Sequence, residues 1–292
     1  MDWTTSHSSS GSLFKSKRYS DWPTISEDLT TGTLQAAFLL APMAMSLKQR
    51  GVPLRIVYLG HRDGTAMMVR TDSDLREVRD LRGKKVLVPS QYSNQKLWLA
   101  RMLKEAGMSL ADLDVRDCPP PDMPAMLETD SCAAYIVGEP HAARSEMAGT
   151  GRVFKLTKDD WPNFISCVVV VREEMINEER AVVQELIDGI AGSGVWLDQD
   201  FENRMEAAEV AGKYYYNQKP ELLKFVLSKP PDRVKYTSLS PHRDDLDEIM
   251  LLAVEVGMLD APIAFEEYAD PSFAEKFSGA ALPMPPDDAR TP

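Results

Sequence analysis

The amino-acid sequence predicts an α/β architecture. In the first 60 residues, apolar stretches of strand length alternate with segments that begin near proline and end at glycine, as helices do. The pattern restarts after residue 84, and beyond residue 172 the periodicity becomes helical. Alternating strands and helices are typical of sheets with right-handed helical crossovers.

The first elements follow from local signals. Residues 13–19 are a strand candidate, and a helix is predicted from Asp21 because proline occupies the first helical position at residue 23. Gly32 is placed to end that helix. Residues 34–40 are mostly apolar, which predicts a strand covered on both faces in a parallel sheet.

The alternation continues along the chain. A helix begins at Pro42 and ends at Gly51, and an amphipathic helix ends at Gly107. Further strands are predicted at residues 54–59, 65–69, 84–88, 111–117, 132–137 and 164–171. Further helices are predicted at residues 123–127, 140–147, 178–197, 203–216, 220–227 and 243–256. Residues 283–292 are rich in proline and aspartate and predict a disordered tail.

Composition excludes several classes of function. The 292 residues carry a net charge of −12, which disfavours a dedicated nucleic-acid binder. The longest apolar stretches, residues 36–45 and 165–171, are shorter than the roughly 20 residues that span a bilayer. Three cysteines are too few for a disulfide framework. Residues 1–11 lack the features of a secretory signal, so we expect either a cytoplasmic chain or an incomplete or processed N-terminus.

Three junctions between a predicted strand and the next helix are candidate ligand sites: residues 40–43, 88–94 and 137–141. In open α/β sheets, ligands bind beyond the carboxyl ends of strands, where unpaired helix N–H groups favour an anion. The second junction concentrates hydroxyl and amide groups, notably Ser90, Tyr92, Ser93 and Asn94. Ser93 and Asn94 are also good helix caps, and the two roles are compatible.

The sequence supports acid–base catalysis less strongly than it supports ligand binding. Glu139 and His141 flank a proline and are suited to proton transfer, but a structural carboxylate and an exposed histidine explain them more simply. His61 and Asp63 resemble half of a catalytic triad, yet no G-x-S-x-G serine accompanies them. We therefore interpret Asp63 as a turn residue and His61 as a ligand group between lobes.

No cofactor or metal site is predicted. The four histidines do not show a metal-binding spacing, and the C-x-x-C, G-x-G-x-x-G and P-loop motifs are missing from the sequence. Cys132 and Cys167 lie in apolar strand runs and are interpreted as inert buried thiols.

Several segments, taken in order, resemble a known family: residues 21–37, 40–42, 80–86 (DLRGKKV), 126–127 and 133–140. They are similar to the nitrate/sulfonate/taurine/bicarbonate class of ABC-transporter substrate-binding proteins. The resemblance covers about residues 13–277, and DLRGKKV is its most specific part.

The resemblance implies a two-lobed type II periplasmic-binding-protein fold with a ligand cleft between the lobes. Lobe 1 would comprise residues 13–84, lobe 2 residues 85–174, and the C-terminal helices at 175–280 would return to lobe 1, before a tail at 281–292. Family members normally begin with a signal and a strand–helix unit before the position of Leu13. We therefore expect a truncated start or an atypical first lobe.

The function implied by the resemblance is that of a solute receptor. It would bind a small anionic or polar organic solute, dock on ABC permease subunits, act outside the cytoplasm and be a monomer. The ligand-binding candidates are Trp22, Pro42, Met43, His61, Ser90, Tyr92, Ser93, Asn94, Glu139 and His141.

Two alternatives remain open. One is a receptor for a pyrimidine or another thiamine precursor, which would rely on stacking by Trp and Tyr. The other is an enzyme of the same fold, such as a desulfinase, which would need a cysteine in the cleft beside a histidine and an arginine. Because Cys118, Cys132 and Cys167 lie away from the three junctions in the sequence, we expect no enzymatic activity.

Overall fold

The computed structural model describes residues 2–214 and 218–282, which form two β-sheets with helices packed on them. The strands are β1 (Ala36–Leu39), β2 (Leu54–Asp63), β3 (Thr65–Arg70), β4 (Lys85–Val88), β5 (Asp114–Asp117), β6 (Ala134–Gly138), β7 (Gly151–Leu156), β8 (Ile165–Arg172) and β9 (Val234–Lys235).

The helices are α1 (Asp2–Ser6), α2 (Trp22–Thr31), α3 (Ala41–Gln49), α4 (Asn94–Glu105), α5 (Met123–Glu128), α6 (His141–Ala148), α7 (Thr157–Asp160), α8 (Glu173–Glu178), α9 (Arg180–Gln199), α10 (Phe201–Tyr214), α11 (Pro220–Ser228), α12 (Arg243–Glu255), α13 (Phe265–Tyr268) and α14 (Ser272–Lys276). Two short 3₁₀ helices lie at Val78–Leu81 and Leu110–Asp112.

The first sheet has the order β1-β8-β2-β9, and its pairs are antiparallel. β8 is central because its run of four valines, Val168 to Val171, is buried against neighbours on both sides. The prediction of a doubly covered parallel strand at residues 34–40 was wrong. Among the described strands, β1 is an antiparallel edge strand that pairs with β8 alone, and Phe38 is 45% exposed.

The second sheet has the order β5-β4-β6-β3-β7. β4 pairs in parallel with β5 and β6, whereas β3 pairs antiparallel with β6 and β7. The parallel part corresponds to the strands predicted at residues 84–88, 111–117 and 132–137. β7 was not predicted, because residues 152–156 are only partly buried and show no apolar run.

The chain crosses between the sheets twice. β2 ends at Asp63 and β3 begins at Thr65, so Gly64, with φ of 69°, is the single connecting residue. The return runs from β7 through α7 to β8. β3, which the sequence placed in lobe 1, therefore lies in the second sheet, because the turn at Gly64 carries the chain across instead of forming a hairpin within one sheet. Conversely, β8, which the sequence placed in lobe 2, lies in the first sheet because the chain has already returned through α7.

Residues 13–19 do not form a strand, since no neighbouring strand pairs with them. The predicted tail at 283–292 and the end of the helix predicted at 203–216 lie outside the described residues. Over the described ranges, no helix combines the length and the apolar composition needed to cross a membrane.

One apolar cluster joins the two sheets. It contains Leu59 and Val169 from the first sheet, Val86 and Ile136 from the second, and the fully buried Trp98 of α4. Helix α12 contacts both α3 and α4 and so packs against helices of both sheets. This shared core fixes the position of the crossing point, where polar side chains gather.

Candidate functional site

Polar side chains converge where the chain crosses between the sheets. We call His61, Thr65, Asn94, Gln95 and Ser166 the junction cluster. The Gln95 Nε2 atom donates to Thr65 Oγ1 at 3.3 Å, and the Thr65 and Ser166 hydroxyl oxygens lie 3.5 Å apart. The Asn94 Nδ2 atom donates to the Ile165 carbonyl. The first turn of α4 is thereby tied to β3 and β8.

Glycines allow this close approach. A Cβ atom on Gly64 would lie 2.8 Å from Val234 and 3.4 Å from the His61 ring, and its positive φ disfavours a side chain in any case. A Cβ on Gly138 would meet Ser166 Oγ at 3.6 Å. Gly138, the last residue of β6, therefore lies directly beside the junction cluster.

Three polar atoms of the junction cluster have no hydrogen-bond partner among the described residues: His61 Nδ1, Asn94 Oδ1 and Gln95 Oε1. The Asn94 residue is 0% exposed and Gln95 is 2% exposed. An unpaired buried acceptor costs about 1–3 kcal/mol, so such atoms are ordinarily satisfied by water or by a bound molecule. Asn94 cannot turn its amide round, because Nδ2 is held by the Ile165 carbonyl.

The cluster is electrically neutral. Burial lowers the pKa of His61 to about 4, so the imidazole is uncharged at neutral pH. Cys167 lies opposite His61 in the β2–β8 register, nearer the junction than its sequence position suggested. Burial raises the pKa of the Cys167 thiol to about 12. Since the thiolate is the nucleophilic form, this cysteine is poorly suited to attack a substrate.

The predicted loop at residues 88–94 caps α4. The Ser93 hydroxyl accepts from Lys96 N–H at 3.1 Å, and the Ser90 hydroxyl accepts from Tyr92 N–H at 3.1 Å. The Arg50 guanidinium lies 5.9 Å from the centre of the Tyr92 ring. Ser93 therefore caps α4. Contact of Ser90, Tyr92, Ser93 and Asn94 with a solute stays a prediction.

The candidates from the first lobe lie on α2 and α3. Trp22 begins α2, and its buried Nε1 atom has no partner among the described residues. Pro42 is in the first turn of α3, followed by Met43, whose sulfur accepts from Ser26 Oγ at 3.2 Å. Within the described ranges, no hydrogen bond joins Pro42 or Met43 to the loop before α4, so their placement opposite it stays a prediction.

Glu139 forms part of a buried ion-pair network with Arg233 and Glu146. It accepts from Arg233 Nε at 2.6 Å and from Ala143 N–H at 2.9 Å, while Arg233 also donates to Glu146 at 2.8 Å. Burial raises the pKa of the Glu139 carboxyl, and Arg233 acts in the opposite direction. His141 is half-buried, which lowers its pKa to about 4, so it is not the exposed histidine of the simpler interpretation.

Sequence reasoning did not single out Thr65, Gln95 or Ser166. Each is a polar residue within or beside an apolar strand or helix, and only the packing of α4 on β3 and β8 brings them together. In the part of the chain that the structure describes, no three His, Cys, Asp or Glu side chains are grouped so as to hold a metal ion.

A protein-family model described as the NMT1-like family matches residues 7–212 of this sequence. The chain belongs to the NMT1-like family. This member is 25% identical over 203 residues to the nitrate import ATP-binding protein NrtC of Synechocystis, and 22% identical over 219 residues to the nitrate/nitrite binding protein NrtA of Nostoc. The alignments cover 63% and 67% of this chain but only 30% and 49% of those proteins, so the chain spans half or less of their length.

Solved structures confirm the predicted fold. The ligand-binding component of an ABC-type import system from Staphylococcus aureus, with zinc bound, has a TM-score of 0.81 at 23% identity, covering 90% of this chain and 88% of that one. The periplasmic nitrate-binding protein NrtA from Synechocystis has a TM-score of 0.80 at 17% identity, covering 88% and 78%. The aliphatic sulphonate binding protein SsuA from Escherichia coli gives 0.74 at 15%, covering 99% and 90%.

An enzyme also shares the fold. A mutant of DSZB in complex with biphenyl-2-sulfinic acid has a TM-score of 0.62 at 14% identity, and the alignment covers 85% of this chain and 86% of that one. DSZB is described as a desulfurization enzyme. The binding proteins above have higher TM-scores. The predicted two-lobed binding-protein fold is confirmed, and both uses of that fold remain relevant to function.

Proposed function

We propose that this NMT1-like protein is the solute-binding component of an ABC-type import system and that its solute binds at the junction cluster. The observation that carries the proposal is the set of buried, unpartnered polar atoms of His61, Asn94 and Gln95 at the crossing between the sheets. A ligand held there contacts both halves of the fold, so its binding favours one arrangement of the two sheets.

The names of the similar proteins support a partner and a location for this chain. NrtC and NrtA are named for nitrate import and binding, which supports permease subunits as partners. The structurally similar nitrate- and sulphonate-binding proteins are described as periplasmic, which supports a location outside the cytoplasm. A receptor that signals its loaded state to a permease needs a conformation that depends on the ligand. The double crossing between the sheets, at Gly64 and through α7, is a suitable hinge.

We infer a small anionic or polar organic solute. The 12-residue helix α4 begins beside the junction cluster, and the positive end of its dipole, with the first-turn N–H groups that Ser93 does not cap, favours an anion of the nitrate, sulfonate or bicarbonate type. The net charge of −12 does not oppose this, because local N–H groups dominate the field within the site.

A second candidate class is a pyrimidine or related thiamine precursor. The unpaired Asn94 Oδ1 and Gln95 Oε1 atoms are acceptors and favour a ligand that offers N–H groups, which nitrate does not. Trp22 and Tyr92 are the aromatic candidates for stacking on such a ring.

A thermal-shift panel tests the receptor assignment. Purified protein is heated with nitrate, bicarbonate, taurine, alkanesulfonates and aminopyrimidines in turn. At 100 times its dissociation constant, a true ligand stabilises the folded protein by about 2.7 kcal/mol, which raises the melting temperature measurably. A panel in which every compound leaves the melting temperature unchanged contradicts the assignment.

We also infer that the chain does not catalyse cysteine chemistry. Replacing Cys167 with alanine is expected to leave solute affinity within about twofold, because the protonated thiol has no nucleophilic role. Cys132→Ala, at a thiol whose pKa burial also raises to about 12, is the matched control. Incubation with aryl sulfinates and analysis by mass spectrometry checks turnover. Multiple-turnover product that disappears only in Cys167→Ala would instead establish a desulfinase-like enzyme.

A further inference from the structure

Arg62 is a buried arginine that lies beside the junction cluster and is not part of it. Its side chain is 6% exposed. Nε donates to the Ser238 carbonyl at 3.0 Å, Nη1 donates to the Asn163 carbonyl at 2.7 Å, and Nη2 donates to Asp245 Oδ2 at 2.6 Å. Asp245 is in the first turn of α12, whereas both carbonyls belong to connecting segments. One guanidinium therefore binds two connections and a helix.

The backbone around Arg62 has an uncommon conformation. Asp63, Asn163 and Ser238 have φ angles of 59°, 63° and 56°. In the described ranges, one other residue apart from glycine has a positive φ, Asp130 in the turn before β6. This left-handed region is unfavourable for residues with a Cβ atom, and it persists where surrounding contacts hold it. Three of the four cases are therefore gathered at one place.

The Arg62 guanidinium holds two of these residues. Its N–H groups bind the Asn163 and Ser238 carbonyls, so a return of either residue to an extended conformation would turn that carbonyl away from its donor. Both residues are exposed, so their own side chains supply little packing that could fix the backbone. The contact with Arg62 is therefore the interaction that keeps them left-handed.

Both crossings between the sheets meet at this arginine. Arg62 and Asp63 end β2 just before the first crossing at Gly64, and Asn163 precedes β8 on the return. The Asp63 N–H donates to the Phe164 carbonyl at 2.7 Å, so the two crossings are also bonded to each other. A rotation of one sheet against the other has to be taken up by the backbone dihedral angles at such residues.

We propose that Arg62 is a hinge clamp: by holding the backbone at Asn163 and Ser238, it positions the two sheets so that the junction cluster closes on a solute. The inference rests on the proposed function for the place where the solute binds. Two members of the junction cluster lie next to the clamp, since His61 directly precedes Arg62 and Thr65 begins β3 beyond the crossing. Without the clamp, the arrangement that binds solute is populated less, and the apparent affinity falls in the same proportion.

Hydrogen exchange measured by mass spectrometry tests the clamp without any solute. The Asp63 and Glu139 amides bond across the crossing, to the carbonyls of residues 164 and 64. In Arg62→Met, both are expected to exchange about tenfold faster, because the crossing opens locally. Arg172→Met is the matched control, since the Arg172 side chain is 14% exposed and its guanidinium binds two carbonyls of α2, away from the crossings. It should leave exchange at both amides as in the wild-type protein.

Solute affinity distinguishes a clamp from an arginine that only adds stability. For the panel compound that binds the wild-type protein best, Arg62→Met is expected to weaken binding about tenfold and Arg172→Met less than about twofold. Adding Asn163→Gly and Ser238→Gly to Arg62→Met should restore part of the affinity, because glycine adopts a positive φ without steric cost. A loss of packing or charge at residue 62 would not be restored by glycine at these sites.

Arg62→Lys retains the positive charge and keeps the test valid if Arg62→Met does not fold. A lysine ammonium lacks the planar fork with which one arginine binds two carbonyls and a carboxylate. We therefore expect faster exchange at the Asp63 amide and weaker solute binding in this variant as well.

Three results would overturn the clamp. They are wild-type exchange at the Asp63 amide in Arg62→Lys, faster exchange spread evenly over all peptides, and equal solute affinity of Arg62→Lys and the wild-type protein. If no panel compound binds the wild-type protein, the proposed function fails, whereas faster exchange confined to the crossing still supports the clamp.

Discussion

Replacing Arg233 with methionine is expected to lower the free energy of unfolding by about 3–5 kcal/mol, because it leaves a buried carboxylate without its partner. The Arg233 and Glu139 side chains are 2% and 4% exposed, and Arg233 also holds Glu146 and the Lys229 carbonyl. Arg233 precedes β9, which pairs with β2, while Glu139 follows β6 of the second sheet. The pair therefore links the two halves of the fold.

Urea unfolding measures this effect, with Arg82→Met as the matched control. Arg82 pairs with Asp112 on the surface, where its side chain is 59% exposed, so its loss should cost less than about 1 kcal/mol. In the double variant Arg233→Met/Glu139→Gln, much of the lost stability should return, because no unpaired buried charge remains at Glu139. Equal, small effects of Arg233→Met and Arg82→Met would show that the buried pair does not hold the lobes together.

Acidification from pH 7 to pH 4 is expected to destabilise the protein by several kcal/mol. The pKa values of both His61 and His141 are lowered to about 4, below the value of about 6.5 that histidine has in an unfolded chain. Between these values the unfolded state binds more protons, so the stability present near neutral pH is lost as the pH falls. Each histidine contributes up to about 3 kcal/mol, at about 1.4 kcal/mol per pKa unit.

The free energy of unfolding, measured at half-unit intervals of pH, checks this dependence. His61→Asn should make the stability curve shallower between pH 6.5 and 4, because one of the two histidines with a lowered pKa no longer gains a proton on unfolding. His242→Asn, at an exposed histidine, is the control and should keep the wild-type curve. Identical curves for His61→Asn and the wild-type protein would mean that His61 is not held neutral by burial.

The sequence predicted most elements because their signals are local. The proline and glycine bounds of α2 and the four-valine run of β8 are examples. The direction and partner of β1 were not predictable, since pairing with β8 joins residues about 130 positions apart and depends on the path of the whole chain. For the same reason, the sequence could not place β3 in the second sheet.

The candidate site was only partly predictable. Ser93 and Asn94 are recognisable because they lie at a helix start, and His61 because it lies beside a turn. Thr65 and Ser166 are isolated polar residues in apolar strands, and they become conspicuous only when the two strands are adjacent. The ion pair between Glu139 and Arg233 was also not predictable, because the two residues lie 94 positions apart in the sequence.

Calorimetric titration of the Gln95→Met variant tests the central claim, that the solute binds at the junction of the two sheets. The titrant is the compound of the thermal-shift panel that stabilises the wild-type protein most. Gln184→Met is the matched control, since Gln184 is partly buried on α9 and bonds to Asp188 and to the Phe273 carbonyl. We expect Gln95→Met to weaken binding at least tenfold, or about 1.4 kcal/mol, and Gln184→Met to change it less than about twofold. Wild-type affinity in Gln95→Met would contradict the placement of the solute at the junction cluster.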